Sequence, residues 1–139
     1  MNKRFAFVLI LVTALPFACF SQSRKDIKKM QLQSKSVYEY FIEEGIKDPV
    51  LETYEVYDTT GNVIELKELN SEGLVKTWQK FAYDSKRNKI EELTLDQKGK
   101  IVEKVVWVYK DDLVVEKKYF DGKDRLVKRK EYKYKYYSN

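Results

Sequence analysis

Histidine is absent from this 139-residue sequence, cysteine occurs once, proline twice and glycine five times. Without an imidazole, nucleophile systems built on Ser/His/Asp or Cys/His, His-ligated zinc sites and imidazole pH switches are all excluded. A single cysteine, Cys19, closes no internal disulfide. What is present is ample for folding. The chain is 43% apolar and 14% aromatic, enough for one ordinary domain rather than a disordered segment. Its 27 Lys and Arg outnumber 22 Asp and Glu, for a net charge of +5.

Residues 1–21 read as a secretory signal peptide. Lys3 and Arg4 form a positive start, and Phe5 to Phe17 is an apolar run of signal-peptide length, short for a bilayer span. Small residues at Cys19 and Ser21 suit a signal-peptidase cut after Ser21, which would remove the only cysteine. Loss of Lys3 and Arg4 then leaves 25 basic against 22 acidic residues, or +3. The expected destination is the periplasm or the exterior, with no transmembrane span after cleavage. Two alternatives are an uncleaved anchor and a lipoprotein acylated on Cys19, although Pro16-Phe17-Ala18 lacks the aliphatic residue that a bacterial lipobox places at minus three.

Beyond the signal the sequence repeats. Tyr57, Tyr83 and Tyr109 stand 26 residues apart, each followed by a turn signal, and Asn70, Asp96 and Asp121 open a second series of turns. Short runs of β-branched, aromatic and alternating residues separate these turns, the pattern of consecutive β-hairpins. All five glycines, at 45, 61, 73, 99 and 122, fall in expected turns, where a positive φ suits them. Pro49 stands at a strand entrance.

The expected fold is therefore all-β: an antiparallel meander of about eight strands built from 26-residue double-strand units, as an open twisted sheet or a partly closed barrel. Strands are expected over 33–42, 50–58, 63–69, 74–83, 89–95, 100–109, 113–119 and 125–137. The segment 22–32 is an N-terminal arm, either mobile or a short helix with Ile27 and Met30 on one side, and 33–139 is the repeat domain.

The segments Tyr57-Asp58-Thr59-Thr60-Gly61-Asn62-Val63-Ile64 and Tyr83-Asp84-Ser85-Lys86-Arg87-Asn88-Lys89-Ile90 resemble the YD repeat of the RHS type, found in bacterial surface and toxin-delivery proteins. The second copy has Arg87 in place of the repeat's glycine, and the third keeps Tyr109 but has Lys110 in place of aspartate. The resemblance implies hairpin architecture over roughly residues 54–137. It does not imply the hollow shell of large RHS proteins, which three short units cannot enclose.

Carboxylates are the only catalytic material. Glu91 with Glu92 could supply the acid and base of a polysaccharide hydrolase, but neighbours on a strand point to opposite faces; Asp111 with Asp112 fall in a turn. The aligned Glu65, Glu91 and Glu116 could form a cation ladder, yet interleaved Lys67, Lys76, Lys104 and Lys118 account for them as cross-strand ion pairs. No cofactor or metal is expected. The basic, tyrosine-rich stretch 126–137 could follow a phosphate backbone or meet an anionic envelope surface or polysaccharide, but edge protection by lysine and core aromatics explain it as well, and nucleic acid is not the expected partner. The best functional pointer is aromatic: Trp78, Phe81, Tyr83, Trp107, Tyr109, Tyr132 and Tyr134 form a candidate binding face. The reading is a non-enzymatic exported or envelope-associated module that contacts protein or glycan. The alternatives are a carboxylate-dependent polysaccharide hydrolase and a structural subunit of a surface assembly, the latter marked by an unpaired edge strand.

Overall fold

The computed structural model describes residues 23–42 and 48–137. The expected signal peptide at 1–21, with Cys19 and the cut after Ser21, and the expected turn at Gly45 lie outside the described residues. A short helix, α1 (Arg24–Met30), precedes eight strands: β1 (Ser34–Glu39), β2 (Val50–Tyr57), β3 (Val63–Leu69), β4 (Val75–Tyr83), β5 (Lys89–Leu95), β6 (Ile101–Lys110), β7 (Leu113–Asp121) and β8 (Leu126–Glu131). They form one sheet in chain order, every neighbouring pair antiparallel. The sheet is open, because β1 and β8 are its two edges and do not meet.

Most strand limits fall within a residue or two of the sequence expectation. Two strands are shorter. β1 stops at Glu39 instead of residue 42, and β8 stops at Glu131 instead of 137, although the Tyr132 amide still donates to the Val115 carbonyl. The arm is a helix. Ser23 caps it by accepting the Asp26 amide at 3.3 Å, and Gln31 ends it in the left-handed region. Ile27 is buried, but Met30 is 52% exposed, so the two do not share a buried side. The Tyr57 amide donates to the Gln33 carbonyl, and Ile27 and Tyr57 line one cleft, so the arm belongs to the domain.

Five turns share one construction. At β2–β3, β3–β4, β4–β5, β5–β6 and β7–β8 the first turn residue is Asp58, Asn70, Asp84, Asp96 or Asp121. Its Oδ1 accepts two backbone amides, two and four residues on, at 2.8–3.0 Å. The fourth residue adopts positive φ: Gly61 (84°), Gly73 (75°), Arg87 (69°), Gly99 (78°) and Asp124 (61°). Gly122 is therefore not the left-handed residue of its turn. It is small because a Cβ there would come within 2.7 Å of the Ile101 carbonyl oxygen. The β6–β7 turn is a two-residue one with Asp111 and Asp112 both at positive φ (50° and 64°), the requirement of a type I′ turn. Every strand pair also carries one register shift near the turn end, and such bulges increase the twist of the sheet.

One layer leaves little to bury. Ile27, Tyr57 and Val105 are the only buried apolar residues among those described, and Asn62 the only buried polar one. Strand residues elsewhere are mostly half-covered by cross-strand neighbours, so pairing and turns carry the stability that a core supplies in two-layer folds.

Two outcomes follow from the turns. A left-handed non-glycine residue costs about 1 kcal/mol or more. Arg87→Gly is expected to stabilise the protein by about 0.5–1 kcal/mol in urea titration, and Ser85→Gly, away from that position, is not. Asp84 is held below the ordinary aspartate range first by the backbone amide of Asn88, helped by its side chain and by Lys86. At Asp58, burial raises the pKa, but hydrogen bonds from Asn62 and Thr60 outweigh it and the net shift is downward. A lowered folded pKa gives stability that is complete above the unfolded value of about 4 and is lost as pH falls through the folded value. Thermal midpoints measured from pH 6 to 2 should therefore fall, and fall less steeply for Asp84→Asn, since Asn70 makes the same two backbone bonds without titrating.

Candidate functional site

Alternation and register sort the side chains onto two faces. The front face carries Gln79 and Phe81 from β4, Thr94 and Glu92 from β5, Val105 and Trp107 from β6, Tyr119 and Lys117 from β7, and Lys128 and Lys130 from β8. The back face carries Tyr54, Lys67, Trp78, Lys80, Leu93, Lys104, Phe120 and Arg129. The seven aromatic candidates are thus divided. Trp78 points to the back, where its Nε1 donates to Glu65 at 2.6 Å and Lys67 sits 3.7 Å from its ring centre. The other six occupy positions of front-face parity.

Three of those six spend their hydroxyls on the fold. Tyr83 donates to the Val63 carbonyl at 2.9 Å, Tyr109 to Lys89 at 3.0 Å and Tyr134 to Val114 at 2.7 Å, each reaching a residue 20 positions earlier. Each ring braces the start of the preceding short strand. Burial raises the pKa of Tyr83 and of Tyr109, as expected for phenols that stay protonated donors. Tyr57, at the start of the series, instead donates to Glu55 under α1; burial first, and then that carboxylate, push its pKa up. Phe81, Trp107 and Tyr132 remain. Tyr132 is 38% exposed, beyond the end of β8.

The rings hold lysine heads. Lys89 lies 5.2 Å from the Phe81 centre and 4.6 Å from Trp107; Lys117 lies 4.6 Å from Trp107 and 5.1 Å from Tyr119; Lys128 lies 3.9 Å from Tyr119. Flat ring faces that a sugar would stack on are therefore already occupied by ammonium groups. The Tyr119 phenol is lowered: partial desolvation raises it, but a hydrogen bond with Lys117 and the charges of Lys117, Lys130 and Lys128 outweigh that.

Like charges stand directly opposite one another at the β7–β8 end. The cross-strand pairs Glu116 with Glu131, Lys117 with Lys130 and Lys118 with Arg129 are consecutive. On the back face Glu116 bridges Lys118 at 3.1 Å and Arg129 at 3.4 Å, which relieves the repulsion there. On the front face no carboxylate among the described residues lies within salt-bridge distance of Lys117, Lys128 or Lys130. Lys89 differs, because Glu92 holds it at 2.6 Å. Opposed like charges destabilise a sheet, and at the Lys117–Lys130 pair the neighbouring rings, not a carboxylate, are what offsets that cost.

The carboxylates do not converge. Glu91 pairs across the back face and Glu92 lies on the front, bonded to Gln79 at 3.0 Å and to Lys89. Asp111 and Asp112 are the I′ turn, and Asp112 holds Lys86 at 2.6 Å. Glu65, Glu91 and Glu116 stand on β3, β5 and β7, two strand spacings or roughly 10 Å apart, too far to share a cation. A cleft of about 360 Å³ between α1 and the β2–β3 turn, lined by Ile27, Leu32, Tyr57 and Asp58, lies at the opposite end of the sheet from the lysines.

Sequence reasoning missed Lys117, Lys128, Lys130 and Tyr119 as a group. The basic stretch 126–137 was a signal, but the opposition of Lys117 to Lys130 depends on the bulge between Tyr119 and Phe120 that accompanies the Asp121 turn, as one accompanies each turn of this kind, and the sequence reading did not place these bulges. No protein-family model matches the chain, and no curated protein matches it significantly in sequence.

Because Lys130 faces Lys117, Lys130→Glu replaces repulsion with an ion pair. It should raise the urea-unfolding free energy by about 0.5 kcal/mol at low salt, with the gain shrinking in 0.5 M NaCl.

Proposed function

We propose that the protein is a non-enzymatic, exported or envelope-associated interaction module, a small YD-repeat-like hairpin sheet that binds an anionic partner through the charged and aromatic front face of β5–β8. The observation that carries this reading is the set of Lys117, Lys128 and Lys130 around Tyr119, which no carboxylate among the described residues pairs. A bound anion between Lys117 and Lys130 removes the repulsion that the free sheet tolerates, so binding and folding are coupled. Trp107 and Tyr119 act as posts that fix the lysine heads, lowering the entropy lost when they engage a ligand. Export, with cleavage after Ser21, is supported by the charged and apolar pattern of residues 1–20. Among the described residues, no helix is long and apolar enough to cross a membrane.

Affinity electrophoresis through gels containing dextran sulfate or uncharged dextran tests the reading. Retardation is expected with the sulfated polymer alone, weakening steeply with added salt. The double variant Lys117→Glu with Lys130→Glu should migrate unretarded while keeping its circular dichroism spectrum. Equal retardation of this variant and the wild type, or cleavage of either polymer, would refute the proposal.

A further inference from the structure

We infer that the anionic partner is a linear acidic polysaccharide that lies across the strands, perpendicular to them, from β5 to the β8 edge; this rests on the front-face reading just given. Lys117 and Lys130 lie along the hydrogen-bonding direction of the sheet, with Lys128 beside Lys130 on β8. Trp107, Lys117 and Lys130 are direct cross-strand partners on β6, β7 and β8, and Lys89 of β5, paired with Glu92 at 2.6 Å, extends the line with its head 4.6 Å from the Trp107 ring centre. The line from β5 to β8 spans three strand spacings, about 14 Å, with cations on β5, β7 and β8 and the Trp107 ring on β6. An extended chain of acidic sugars, with one carboxylate per ring, is long enough to reach the β7–β8 pair and the β5 lysine together.

Two features restrict the ligand further. The row is open. Three clefts, two near α1 and one at the ends of β5–β6 and β7–β8, are lined without Lys117, Lys128 or Lys130. A lone carboxylate or phosphate on such a surface meets one or two solvated ammonium groups and gains little, whereas a polymer engages several at once and makes each further contact intramolecular. The rings are also closed to stacking, since Lys117 and Lys128 cover Tyr119, and Lys89 and Lys117 flank Trp107. That removes the ring-on-base contacts through which single-stranded nucleic acid is held without sequence preference. An acidic peptide paired to β8 would run along the strand and meet Lys128 and Lys130 but not Lys117 and Lys89.

Titration of the protein with galacturonate oligomers of one, two, four and ten residues, beside poly-glutamate and oligothymidylate of matched charge, tests this. Affinity should rise at least about tenfold between the dimer and the tetramer, once the row is spanned, and monomeric galacturonate should give no detectable heat. Lys89→Gln should weaken the tetramer but not the dimer. An affinity independent of length overturns the inference. So does tighter binding of poly-glutamate or oligothymidylate that is lost in Lys117→Glu with Lys130→Glu, and that result leaves the anion-binding face intact. If no polyanion binds and the double variant matches the wild type, both readings fall together.

Discussion

A carboxylate or amide oxygen that accepts two backbone amides across a five-residue turn is the interaction on which this fold depends. It recurs at Asp58, Asn70, Asp84, Asp96 and Asp121, and at each it fixes the turn before any strand contact is needed. The reason is architectural. A sheet one layer thick has no opposing layer to choose its register, and register that no buried face specifies is prone to slip. Here the turns set it locally, and the tyrosines at 83, 109 and 134 lock it by reaching back to the carbonyls of Val63, Lys89 and Val114. Everything on the two faces follows from that register.

This division explains what the side chains between turns are free to do. Without a core to fill, strand positions hold long charged residues whose ammonium heads sit over neighbouring rings, as Lys67 does on Trp78 and Lys104 on Phe120. Where charges alternate, as with Lys35 and Glu55, they pair electrostatically. Toward β8 like charges stand opposed on both faces. The back face corrects its like-charge pairs through Glu116, and the front face does not. The proposed binding of an anionic partner rests on that imbalance between the two faces of a thin sheet.

Much of the fold was legible because the turn residues are chemically explicit. The 26-residue spacing of Tyr57, Tyr83 and Tyr109, with Asn70, Asp96 and Asp121 between, leads to the meander and to most strand limits. An open sheet with β8 at its edge was among the expectations, whereas the end of β8 at Glu131 and the solvent-facing side of Met30 were not legible, because each depends on what the sheet leaves unpaired rather than on local pattern. The aromatic candidates were legible as residues and not as a surface. Trp78 is three residues from Phe81, an odd separation that turns it to the other face, and the hydroxyls of Tyr83, Tyr109 and Tyr134 belong to the scaffold. The lysines that distinguish the front face emerged only with the bulge between Tyr119 and Phe120.

The helix α1 covers one end of the sheet, where Ile27 meets Tyr57 and the Arg24 backbone packs against Gly61, while β8 ends the other with every residue exposed. A row of hairpins in which each touches only its neighbours opens from its edges, and both edge strands here, β1 and β8, are largely exposed. Opening at the β8 edge parts the strands that carry Lys117, Lys128 and Lys130. Under the proposed binding, a polyanion lying across β7 and β8 would tie the exposed edge to its neighbour and oppose that opening.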